Sequence, residues 1–287
     1  MELLGQTVVN AIMTTCFYML IAVGFSLVFG VMGVANYAHG EFFMLGAYAL
    51  WFLYGELHLP FILSVLAALI IVGLVGIITE RFLFKWVRGN VLGGVLIGIG
   101  LIFILQVLVG RIWGVGLPKP VPAAFPGTLD ILSTSISWQR FIIIPATGFV
   151  LAVLFLFLHK TQIGRSLRAC AMDSEAAALQ GVSINKSSAI ALGAGAALAG
   201  FGGALLAPII SVHPYMGHVP LLFCFIVVIV GGAGNLKGSI LASILFGFLH
   251  TFLTTYLDST IAMIASCLLM YIILAIKPQG LLGYAEK

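Results

Sequence analysis

Residues 60–79 read PFILSVLAALIIVGLVGIIT, twenty positions without a charged side chain. A helix of that length rises about 30 Å, the thickness of a bilayer's hydrocarbon core. A helix on the surface of a soluble protein keeps a polar face, and this stretch has none. It reads as a membrane span, and the chain around it repeats the pattern. Of 287 residues, 62% are apolar and 8% charged, with mean hydropathy +1.20. Soluble domains carry about 25% charged residues. A soluble globular fold is excluded, and so is a disordered one. The roughly 178 apolar residues, spent at about 20 per helix, supply eight or nine spans. The expected fold is all-α, a polytopic transmembrane helical bundle in a lipid bilayer, with the whole of 1–287 forming one domain.

Polar connectors divide the chain into nine apolar segments, near 8–30, 40–56, 60–79, 91–112, 141–158, 188–210, 219–234, 238–257 and 260–276. Several fall short of a full span. Ten basic residues fall on one side of this alternation: Arg81, Lys85, Arg88, Lys160, Arg165, Arg168, Lys186, Lys237, Lys277 and Lys287. Three fall on the other: Arg111, Lys119 and Arg140. Because basic loops stay in the cytosol, the ten are expected inside. The Pro-rich stretch 113–140 then becomes the main external loop and 159–187 a cytoplasmic loop. Nine spans put the N-terminus outside, and an extra half-helix would reverse that. Met1–Gln6 carries Glu2 and no basic residue, unlike a cleavable leader, so the first apolar segment is expected to be retained.

The net charge of +4 and the lack of a basic block interleaved with aromatics speak against nucleic acid. Cys16, Cys170, Cys224 and Cys267 are scattered and read as packing residues. No HExxH, GxSxG or P-loop occurs, since Lys237 is followed by Gly238 rather than Ser or Thr. We expect no metal, no cofactor and no enzymatic chemistry. With no soluble domain, any use of ATP must come through partners.

Two glycine-interrupted polar islands break the apolar runs: Gly33–Gly46, with Asn36, His39, Gly40 and Glu41, and Gly231–Gly238, with Gly231, Gly232, Gly234, Asn235 and Lys237. A membrane tolerates broken helices only where protein or a water-filled cavity satisfies the freed backbone groups. Paired interruptions in two halves of a chain point to a transport pathway, with ordinary interfacial loops as the other reading. Free N–H groups at a half-helix start attract a carboxylate, free carbonyls at an end attract an ammonium, and an amino acid has both. Glu41 is the sharpest single residue. A charge at the bilayer centre costs about 2.5–3.5 kcal/mol, so it must be neutral, paired (His39 is a candidate) or near water. Glu80 and Asp258 read as structural residues at membrane borders. His213 and His218 fit the link 211–220, expected outside, and His250 a helix contact. The small-residue segment 188–210 reads as a packing helix.

Within the cytoplasmic stretch, Asp173 or Ser174 can cap a helix, Glu175 suits the positive end of its dipole and Gly181 can end it. Two turns are too few to be stable alone, so the element either docks into a partner's groove or lies on its own bundle. The run Glu175-Ala176-Ala177 with Gly181 resembles the EAA-x-x-x-G signature of ABC importer permeases, where it is the coupling helix that seats in the ATPase. Val182-Ser183-Ile184-Asn185 stands in place of the usual ending, unlike the commonest permease branch. Four further stretches, NYAHGEFFMLGAY at 36–48, GRSLRA at 164–169, VGGAGN at 230–235 and KPQGLLG at 277–283, are similar in order to the LivH-type branched-chain amino acid permeases.

The resemblance implies a permease subunit in a bacterial inner membrane, forming half a pore with a second permease of the LivM type. Two cytoplasmic ABC ATPase subunits would move the coupling helix, and an external solute-binding protein would deliver leucine, isoleucine or valine to 113–140 and 211–220. Urea and short amides are carried by similar permeases. A stand-alone secondary transporter or channel is the alternative class, and it leaves Glu175–Gly181 without a purpose.

Overall fold

The computed structural model describes residues 2–131 and 134–283. Lys287 and part of the 113–140 loop lie outside them. All nine apolar segments fold as helices, and seven of these are long and apolar enough to cross a membrane. They are α1 (Glu2–Met32), α3 (Phe61–Phe82), α4 (Val91–Trp113), α5 (Trp138–Lys160), α8 (Ile184–Leu206), α10 (Leu236–Tyr256) and α11 (Ser259–Ile276). The other two are short: α2 (His39–Leu50), continued by a π-helical turn over Trp51–Glu56, and α9 (His218–Gly231).

The polar connector adds α6 (Gln162–Met172) and α7 (Ser174–Leu179). Only the second carries the Asp, Glu and Gly capping signals expected from the sequence. Thr161 caps α6 through the Gly164 N–H, and Gly164, Leu167 and Cys170 bury one stripe of it. A two-stranded hairpin, β1 (Thr128–Ile131) and β2 (Thr134–Ser137), departs from the all-helical expectation. It lies in the Pro-rich stretch, where there is no apolar run to carry a helix.

Ends of the bundle differ in charge. Gly89 N–H bonds to Met32 O at 3.3 Å, which brings the α3–α4 link, with Arg88, to the end of α1. Alternation of the long helices puts Arg81, Lys85, Lys160, Arg165, Arg168, Lys186, Lys237 and Lys277 at this same basic end. At the opposite end, Lys119 pairs with Val212 and Arg140 bonds to Asn10 Oδ1 at 3.1 Å.

The helices form two units of like order running in opposite directions. The first is α1, an extended break at 33–38, α2, α3 and α4; the second is α8, a break at 207–217, α9, α10 and α11. α1 and α8 are the most buried pair and cross back to back at Gly24 and Gly195, where a methyl group on either would lie within 2.8 or 2.7 Å of the other's carbonyl oxygen. The small-residue segment thus sits at the centre of the packing, as its composition suggested. α3 lies along α8 as α10 lies along α1; α2 packs on α3 as α9 packs on α10. Such inverted pairs generate a local two-fold axis in the membrane plane.

Each break has a local cause. Beyond Met32, Gly33 turns with φ +63°, and Val34 and Tyr37 lie against Gly94 and Gly98, a bare groove on α4. Glycines four apart on one face let an extended strand lie where a helix could not. His39, the first residue of α2, reaches Ile21 O at 3.1 Å. Ile21 lies eleven residues before Met32, or roughly 16 Å along α1 at 1.5 Å per residue. The chain therefore climbs half-way through the bundle before α2 begins.

Candidate functional site

The N-termini of α2 and α9 meet at this middle depth, at Gly40 and Gly217. A methyl group on either glycine would overlap the other's carbonyl, so only bare backbone allows the approach. Both helices thus aim the positive ends of their dipoles at one place.

Three polar residues gather at the start of α2. Asn36 Oδ1 accepts from Ala38 N–H at 3.0 Å, and the His39 imidazole donates from Nε2 to Ile21 O. Glu41 Oε1 accepts from the Gln106 Nε2 amide at 2.8 Å. The second hydrogen of that amide goes to His218 Nε2 at 2.7 Å. His218 Nε2 and Glu41 Oε1 are 3.9 Å apart. The expected partnership of Glu41 with His39 does not form, because residues two apart on a helix point to different sides.

Each member of this trio keeps one buried polar atom without a protein partner: Asn36 Nδ2, His39 Nδ1 and Glu41 Oε2. Leaving a buried polar group unmet costs about 1–3 kcal/mol. Three together are a concentration that packing alone does not explain.

The second glycine island does not join this site. Gly231–Gly238 is the turn at the far end of α9, a fourteen-residue helix away, or roughly 21 Å. Gly232 and Gly234 adopt φ +100° and +82°, and Asn235 caps α10 through the Gly238 N–H. Residues of 277–283 clasp the turn, with Asn235 Nδ2 donating to Leu282 O at 2.6 Å and Leu281 N–H to Val230 O at 2.6 Å. Gly234 lines a cavity of about 350 Å³ at the basic end with Ser26, His159, Arg168 and Lys237. The partner of the first break is instead 207–217, taken from the sequence as part of a surface link. His213-Pro-Tyr-Met-Gly217-His218 carries the same polar and glycine signal as 36–41, and would have revealed it. Gln106 was also missed, although it is the one carboxamide in the apolar run of α4.

At the basic end, α7 has both caps built by its sequence. Asp173 Oδ1 accepts from the Glu175 and Ala176 N–H groups, each at 2.9 Å. Gly181, at φ +81°, closes the helix as its own N–H bonds to Ala178 O and that of Val182 to Ala177 O. Ala177 is the only buried residue of α7, while Glu175 and Ala176 are exposed. Met172 and Leu179 beside it are 89% and 87% exposed. The helix stands out from its bundle rather than lying on it.

Residues 7–275 match the family described as "Branched-chain amino acid transport system / permease component". The chain is 28% identical to the high-affinity branched-chain amino acid transport system permease protein LivH of Salmonella typhimurium, over 98% of this chain and 96% of that one. It is 29% identical to the corresponding protein BraD of Pseudomonas aeruginosa, with the same coverage. Among solved structures, PsaBC from Streptococcus pneumoniae in complex with Fab shares the fold, with TM-score 0.53, 14% identity, and 94% of this chain and 91% of that one covered.

Proposed function

The chain belongs to the branched-chain amino acid transport permease family, and on that footing we propose that it forms half of the translocation pathway of an ABC importer for leucine, isoleucine and valine. It is a multi-pass membrane permease and not an enzyme; ATPase subunits and a substrate-binding protein are the partners such permeases work with. In this reading it lies in a bacterial inner membrane, with the basic end and α7 in the cytosol. A LivM-type permease forms the other half of the pore. Of the two ATPases, one seats on α7 through Asp173, Glu175, Ala176, Ala177 and Gly181 and the other on the second permease, and a solute-binding protein docks at the end bearing 113–140.

One observation carries the reading. Two half-helices abut near mid-depth, and the polar trio of Asn36, His39 and Glu41 there retains unmet hydrogen-bonding atoms. Around them, closure of the ATPases would part or rejoin α2 and α9 and open the route first to one side, then to the other. The turn at Gly231, Gly232 and Gly234 would act in this scheme as a hinge at the cytosolic mouth, not as a contact for the solute.

The test is uptake by the complete importer reconstituted in vesicles. Labelled leucine should accumulate only with ATP and the binding protein. Glu41→Gln keeps the Gln106 contact but removes the acid, and should slow uptake about tenfold, equivalent to roughly 1.4 kcal/mol, while the subunits still co-purify. Glu175→Ala and Gly181→Ala should leave ATP hydrolysis running without uptake. Normal uptake in all three variants would overturn the reading.

A further inference from the structure

The His218 side chain is 52% exposed on the flank of the bundle, 3.9 Å from the buried Glu41 carboxyl. Hydrocarbon offers an imidazole no hydrogen-bond partner, so this flank does not face lipid. Along it, between α4 and the break before α9, opens a cavity of about 300 Å³ lined by Phe103, Gln106, Val107, Arg111, Val115 and Tyr215. The link from Gln106 through to Glu41 Oε1 ties the cavity to the mid-depth site.

The lining joins two polar residues, Gln106 and Arg111, to an apolar wall. Gln106 spends both amide hydrogens on Glu41 and His218, so its Oε1 is left to accept. Behind it lies Glu41, with Oε2 still unpartnered although the side chain is 1% exposed. Arg111 stands five residues further along α4, or roughly 7.5 Å. Phe103, Val107 and Val115, each 61–64% exposed, supply the apolar wall.

We propose that this cavity is a binding site for a zwitterionic amino acid in transit. Gln106, backed by Glu41, takes the α-ammonium, the forked Arg111 guanidinium takes the α-carboxylate, and the Phe103–Val107–Val115 wall takes an aliphatic side chain. The proposal rests on the import function above and adds to it the groups that read the solute inside the permease. A guanidinium suits a carboxylate because it can donate two parallel hydrogen bonds. A ligand lacking either charge leaves Gln106 or Arg111 unmet, so amines and acids of the same shape are excluded.

The experiment uses the complete importer in vesicles, with Val107→Cys in a Cys267→Ser background and a membrane-impermeant thiol reagent. Leucine should slow modification of the cysteine; isoamylamine and 4-methylpentanoate, each leucine less one charge, should not. Arg111→Gln should weaken protection by leucine about tenfold, the loss expected for one charge-assisted hydrogen bond. Arg111→Lys should retain part of it. Absence of protection in a complex that still imports leucine would overturn the site, and so would equal protection by the amine or the acid. A wild-type complex that imports no branched-chain amino acid would overturn the proposed function itself, a failure seen in uptake rather than in labelling.

Discussion

Gly40 and Gly217 touch backbone to backbone, and nothing larger fits between them. Gly217→Ala should force α2 and α9 apart at a cost of about 1–3 kcal/mol, read as lower yield of assembled complex and slower uptake. Gly148→Ala, with nothing within 4 Å of its added methyl, is the matched control and should be neutral. His213 lies outside the spans, and its imidazole is pushed below the ordinary range by burial, with neighbouring His218 adding to the effect. The folded chain therefore favours the neutral ring. Stability conferred this way is present above about pH 6.5 and declines as the pH falls below it. The thermal inactivation midpoint in detergent should drop gently on acidification, and less so in His213→Gln. At this scale the sequence was a partial guide. Glu41 stands out because an acid inside an apolar run demands an explanation. Its partners do not, since Gln106 is 65 residues away in the chain and local spacing cannot report a contact closed by tertiary packing.

Short elements carry the devices that local chemistry writes most plainly. Both caps of α7 were legible, because an Asp two residues before Glu175 and a glycine after the last helical turn act on their immediate neighbours. The glycine island at 231–238 was misjudged for the opposite reason. Glycines at positive φ mark a sharp turn as well as a broken span, and only depth in the bundle tells the two apart. Glu80 was read as a border residue beside Arg81. It is fully buried at that border and held by Arg88, whose guanidinium also reaches Asn185 Oδ1 at 2.5 Å. That contact ties the α3–α4 link to the start of α8, just beyond α7. Arg88→Leu strands a buried acid and should destabilise the fold by about 3–5 kcal/mol, whereas the double variant Glu80→Gln/Arg88→Leu should recover most of the loss. Expression and melting of the two variants in detergent make the comparison.

The molecule as a whole is two like-ordered units inserted head to tail. Its helical class and the number of apolar segments followed from hydropathy, since each helix must satisfy its own backbone in lipid. The inversion did not follow, because it resides in how α1 and α8 cross, and its one local trace is the likeness of 213–218 to 36–41. Sidedness is open to a direct check: Leu179→Cys should react with an impermeant maleimide only from the cytosol, and Leu117→Cys only from outside. These leucines are 87% and 91% exposed at opposite ends of the bundle. Reaction of both from one side would refute the arrangement.

The meeting of Gly40 with Gly217 also sets a clock on biosynthesis. Position 217 leaves the ribosome 177 residues after position 40 (217 − 40), a gap of roughly 10–35 s at about 5–20 residues per second. Until then the blunt start of α2 has no mate, and a nascent chain arrested between the two points must hold raw peptide groups against the bilayer or the insertion machinery. Quality-control proteases would find their opening in that interval, well before the finished subunit meets any partner.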